Sequence, residues 1–78
     1  MRGHSVNTER NLVGEVLEEV YPYIEKVDDL KEVLYRFDGS TVEELVRYLK
    51  MHIAASGEPL KTDLRIFLGK LQEKADIM

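Results

Sequence analysis

The sequence contains no cysteine and no tryptophan, and only two prolines, Pro22 and Pro59. The missing thiols exclude disulfides, cysteine nucleophiles and thiolate metal sites together, and they fit a cytoplasmic setting. None of the five glycines belongs to a phosphate-cradling loop. No apolar run approaches the roughly 18 residues that a membrane span needs. Met1 to Thr8 hold no apolar segment of the kind a signal peptide requires. Positive charge is also short, with eleven Lys and Arg against fifteen Asp and Glu, a net of −4. The deficit is local. Between residues 12 and 29, Lys26 alone stands against Glu15, Glu18, Glu19, Glu25, Asp28 and Asp29, a net of −5. A duplex-binding surface needs clustered cations, so this balance disfavours nucleic acid as a partner.

What is present suits one small globular domain. The chain has 78 residues, 44% of them hydrophobic, near the size at which a single core suffices. Charged residues make up 33%, while Asn7, Asn11 and Gln72 are the only side-chain amides. That combination follows the compositional trend of hyperthermophile proteins. The opening MRGHS resembles a vector-derived leader. Residues 1–7 are read as a disordered tail and residues 8–78 as the folded domain.

Apolar residues recur at helical spacing throughout. Leu12, Val13, Val16, Leu17, Val20, Tyr21, Ile24 and Val27 mark a first helix, with Asn7 or Thr8 as its cap. Pro22 interrupts this stripe, lacking an N–H and clashing with the carbonyl four residues back. A kink is expected there, or a break with Pro22 opening a short new helix. Leu30, Val33, Leu34 and Phe37 mark a second helix, with Asp29 and Glu32 spaced as a capping box. Gly39 suits a left-handed residue ending it. Ser40 and Glu43 are spaced as a second capping box for a third helix, whose stripe is Val42, Leu45, Val46, Leu49 and Ile53. The fourth helix starts at Pro59 or is capped by Thr62, and carries Leu60, Leu64, Phe67, Leu68 and Leu71. No segment alternates with period two. The expected fold is all-α: a compact antiparallel four-helix bundle, its first helix kinked or broken at Pro22.

Chemistry is scarce. Glu15, Glu18 and Glu19 lie opposite the apolar stripe, so a water-facing role is expected, and no Glu-x-x-His pair accompanies them. His52 reads as a half-buried packing residue beside Tyr48. No metal, cofactor or catalytic group is expected. The corner at Asp38-Gly39-Ser40 could be that of a helix-turn-helix, but it would aim Glu43 and Glu44 at the base edges of an acidic groove, with no flanking cations on that turn for the phosphates. Thr62 to Ile77, TDLRIFLGKLQEKADI, resembles the recognition helix and exit of a winged-helix domain through the spacing of Leu64, Leu68 and Leu71. That resemblance implies DNA contact through Lys61, Arg65, Lys70 and Lys74. Glu58, Asp63, Glu73 and Asp76 offset those cations, and the family's β-hairpin wing has no counterpart strand in these residues.

Protein contact is the leading expectation. Tyr35, Met51 and Ile66 point away from their stripes, and Gly69 shares the Ile66 side of its helix. A glycine inside a helix costs roughly 1 kcal/mol relative to alanine, and close approach of another backbone is one reason to keep it. The function expected is a small non-catalytic interaction module, acting on another protein or on a second copy of itself. The alternative is a DNA-binding regulator using the cations of the fourth helix.

Overall fold

A computed structural model describes the backbone of residues 4–76 and the side chains of residues 12–75. The elements are α1 (His4–Val20), a 3-10 turn (Tyr21–Tyr23), α2 (Val27–Tyr35), α3 (Val42–Ala55) and α4 (Leu60–Asp76). There is no strand among the described residues. α1 begins at His4, so the expected caps Asn7 and Thr8 lie within it rather than at its start. Residues 4–7 of the expected tail are therefore helical in backbone, and residues 1–3 lie outside the described residues.

α1 ends at Val20, and Pro22 sits in the 3-10 turn that follows. The turn re-aims the chain. Ile24 stays on the core side, while Tyr21, on the same sequence stripe, emerges 54% exposed. The apolar core comprises Val16, Val20, Ile24, Leu30, Leu45, Leu49, Leu64, Phe67, Leu68 and Leu71. Each belongs to one of the sequence stripes, because an amphipathic helix has only one face to bury. α4 packs against α1, α2 and α3 and contributes four of these residues. The Cα radius of gyration is 12.1 Å, close to the roughly 11.5 Å of a compact folded chain this long.

The caps differ from their sequence reading by small shifts with clear causes. α3 is capped by Thr41, not Ser40, and the box partner is Glu44, not Glu43. Thr41 adopts the extended conformation a cap needs (φ −121°, ψ 157°). Its hydroxyl accepts from the Glu44 N–H at 3.1 Å. The Glu44 carboxylate accepts in return from the N–H of Ser40 at 2.9 Å and of Thr41 at 3.4 Å. Those N–H groups, Ser40 first, hold the Glu44 carboxyl below its ordinary pKa. Gly39 is not left-handed, since no glycine there has positive φ. A Cβ at Gly39 would instead stand 2.6 Å from both the Glu44 carboxylate and the Phe37 ring. Steric room is what the position requires.

α2 has no side-chain cap of its own. Its N-cap is Lys26, and Asp28 and Asp29 fall in its first turn. The expected Asp29–Glu32 box is absent, and Glu32 pairs instead with Arg36 at 3.1 Å. α4 begins at Leu60, so Thr62 is not its cap. The Thr62 N–H and hydroxyl both donate to the Glu58 carboxylate, which these bonds hold below its ordinary pKa.

Candidate functional site

Two concave regions stand out among the described residues. The larger is an open groove of about 700 Å³. Leu12, Val13 and Gly14 of α1 form one wall. Leu34, Tyr35 and Phe37 form another, and Val42 and Leu45 at the start of α3 close the floor beside the Gly39–Thr41 link. Among the described residues, no charged side chain lines it. Leu12, Val13, Leu34 and Phe37 are only half-buried, although they pack on the core. Tyr35, at the groove edge, is 91% exposed. Such a ring at the edge of an apolar hollow is suited to contact with another molecule.

The smaller region is a shallow depression between the end of α1 and α4. Tyr23, Ile66 and Gly69 form its centre, with Glu19, Lys70 and Glu73 around it. Lys74 donates to Glu19 at 2.7 Å, and Lys70 reaches Glu73 at 2.8 Å and Glu19 at 3.7 Å. The Lys74 bond lowers the Glu19 pKa, and the two lysines are raised in turn, Lys74 by Glu19 and Lys70 first by Glu73. Glu15 and Glu18 are exposed, as is Glu19 as a residue.

The residues singled out from the sequence do not all line one concave region. Tyr35 belongs to the groove, and Ile66 and Gly69 belong to the depression. Met51 is 63% exposed on α3 and lines neither. Ile66 is not free surface, because it is half-buried and packs against the core. Of the four candidate DNA-contacting cations, Lys70 and Lys74 are engaged with carboxylates. Lys61 and Arg65 lie near Glu58 and lower its pKa further.

The polar groups that matter most to this architecture were not singled out. Asp63 is 2% exposed in the first turn of α4. Its carboxylate accepts from the Glu25 N–H at 3.0 Å and the Lys26 N–H at 2.7 Å. These donors belong to the link that enters α2, so α4 supplies the cap that α2 lacks. One sequence signal pointed there: Asp63 interrupts the apolar stripe between Leu60, Leu64 and Phe67. Tyr48 donates from its hydroxyl to the Val33 carbonyl at 2.6 Å. Its ring lies 5.1 Å from Phe37 and 4.6 Å from half-buried His52, centroid to centroid. Burial raises the Tyr48 phenol pKa, partly opposed by Arg36.

Among the described residues, no group of three His, Asp or Glu is placed to hold a metal ion. No helix among them is long and apolar enough to cross a membrane. The family model that matches this chain is that of the MJ1579 family, over residues 10–76. The chain belongs to the MJ1579 family. The matched span contains the groove, the depression and the Asp63 clamp, so all three lie within the part of the chain that defines MJ1579 membership. Comparison with curated proteins and with solved structures finds no match.

Proposed function

We propose that this protein is a small, non-catalytic interaction module of the cytoplasm that binds a protein partner. The observation that carries the reading is the groove between α1, α2 and the start of α3. Its walls are apolar, no charged group among the described residues lines it, and exposed Tyr35 stands at its edge. A catalytic pocket brings titratable groups together, whereas this one offers contact area and hydroxyls. The short links between helices favour an antiparallel arrangement of neighbours around α4, with the first helix broken at Pro22. The Glu19–Lys74 and Lys70–Glu73 pairs form a network with few amide residues around it, in keeping with a thermophilic source.

The alternative, a DNA-binding regulator, has less support. Lys70 and Lys74 would have to leave carboxylates to reach phosphates.

The reading is tested by placing a photo-cross-linker at Tyr35 and, as a control, at exposed Lys50. A discrete protein adduct specific to position 35, lost on Leu34→Asp, is the expected result. Equal labelling at both positions would remove the support of the groove. Fluorescence anisotropy with duplex DNA at low and high salt addresses the alternative, which requires an affinity that falls steeply with salt.

A further inference from the structure

The groove between α1, α2 and the start of α3 is apolar inside and acidic around. In its lining the aliphatic Leu12, Val13, Leu34, Val42 and Leu45 outnumber the aromatic Tyr35 and Phe37. Five charged residues adjoin lining residues directly in the chain: Glu15, Asp38, Glu43, Glu44 and Arg36. All five are exposed, and four are acidic. Arg36, the one cation of the five, is bonded to Glu32 at 3.1 Å, so that pair adds no net positive charge. Glu15 acts on Lys74 of α4, and Arg47 acts on Glu44. Asp38 and Glu43 make no ion pair among the described residues. One helical turn further out, Glu18 follows Gly14 and Lys31 precedes Tyr35. The wider surround then holds six acids against three cations. Low-dielectric walls beneath a rim of one sign strengthen its field.

The groove also limits the form of its partner. No strand borders it, so an extended peptide finds no sheet edge to join. Proline-rich segments dock on aromatic-lined grooves, and this lining is mainly aliphatic. A helix with one apolar stripe matches such a surface through side chains alone. We propose that the groove takes a basic amphipathic helix of a partner protein. Its apolar stripe would lie on Leu12, Leu34 and Val42, with flanking Lys or Arg facing Asp38 and Glu43. The lining holds the complex, and the rim steers cationic partners in and rejects acidic ones. The inference rests on the protein-contact reading of the groove and adds the chemistry of the partner.

The test is an amide NMR titration of the full chain with three synthetic peptides of about 14 residues, close to four helical turns. The first has Leu along one helical stripe and Lys elsewhere. The second carries Glu in place of every Lys. The third keeps the composition of the first with the stripe scrambled. The Leu/Lys peptide is expected to shift the amides of Val13, Gly39, Thr41 and Val42, and to bind about tenfold or more tighter than either of the others. Asp38→Asn combined with Glu43→Gln should weaken it by about threefold or more, with circular dichroism confirming an intact helical fold. A Leu/Glu peptide that binds the groove as tightly, or a double substitution without effect, overturns the charge assignment and leaves the protein-contact reading standing. A scrambled peptide that binds as tightly, or shifts that fall on α4 instead, overturns the proposal, because charge alone would then account for binding. If no peptide shifts the groove amides the proposal also fails, and cross-linking at Tyr35 decides separately whether the groove contacts protein.

Discussion

α4 places Leu64, Phe67, Leu68 and Leu71 in the core, whereas α2 places only Leu30 there. The longer helix is held by packing. The shorter one adds half-buried Val27, Val33 and Leu34 to that leucine and has two polar ties, one at each end: Asp63 grips the link before α2, and Tyr48 grips the Val33 carbonyl near its finish. A nine-residue helix is too short to be stable alone in water. Hydrogen bonds from neighbouring helices therefore help to fix where α2 sits. α2 also forms one wall of the groove, so a helix with a single fully buried residue helps to shape the candidate binding surface.

Substitutions that remove one kind of attachment while leaving the other should separate the two regions. The largest effect is expected for Phe67→Ala, a loss of about 3–5 kcal/mol, seen in denaturant titration as destabilisation of the whole fold. Asp63→Ala should cost about 2–3 kcal/mol, because two hydrogen bonds to a carboxylate are lost. Its signature should be selective: hydrogen exchange should accelerate at Glu25, Lys26 and through α2 well before α4. Uniform acceleration would mean that α2 and α4 open as one unit. Tyr48→Phe keeps the ring stacking and deletes only the bond to Val33, at about 1 kcal/mol, with faster exchange confined to the end of α2. Thr41→Ala should cost a similar amount, about 1 kcal/mol, measured by thermal denaturation, and should fray the start of α3 without loosening α2.

The smallest effect is the pH dependence of the same corner. The Glu44 carboxyl titrates below its unfolded value, which is about 4.3, because the Ser40 and Thr41 N–H groups bond to its ionised form. Its contribution is fully present above that unfolded value and is lost as pH falls through the folded pKa. Carboxylate NMR titration should show a Glu44 midpoint below the roughly 4.3 of an unperturbed glutamate. A midpoint at that value would show that the box does not persist in solution.

Much of this architecture was legible because helical periodicity is a property of neighbouring residues. Val16, Leu30, Leu49 and Phe67 could each be placed on a buried face from spacing alone. The corner between α2 and α3 was legible in kind but displaced by one residue, since Ser40 and Thr41 can both cap and Glu43 and Glu44 can both answer. Backbone conformation chose the second of each pair. The candidate sites were less legible. Tyr35 and Met51 could be expected at the surface, and both are exposed. That Tyr35 lines the groove and Met51 does not depends on helix rotation and crossing, which local spacing does not encode. Ile66 was read as outward, yet a flank of α4 can be half-covered when three helices surround it.

Composition and periodicity thus decided what involves only near neighbours: a cysteine-free, acidic, all-helical chain and its stripes. Tertiary structure alone decided that Asp63 would be buried and would cap a helix that starts far from it in sequence. It also decided that Tyr48 would bond Val33, and that Leu12, Leu34 and Val42 would face one groove. The reason is the range of the interactions. A stripe or a cap requires partners within about one helical turn. A carboxylate receiving two N–H groups from 37 and 38 residues away requires that three helices have already been packed at definite angles.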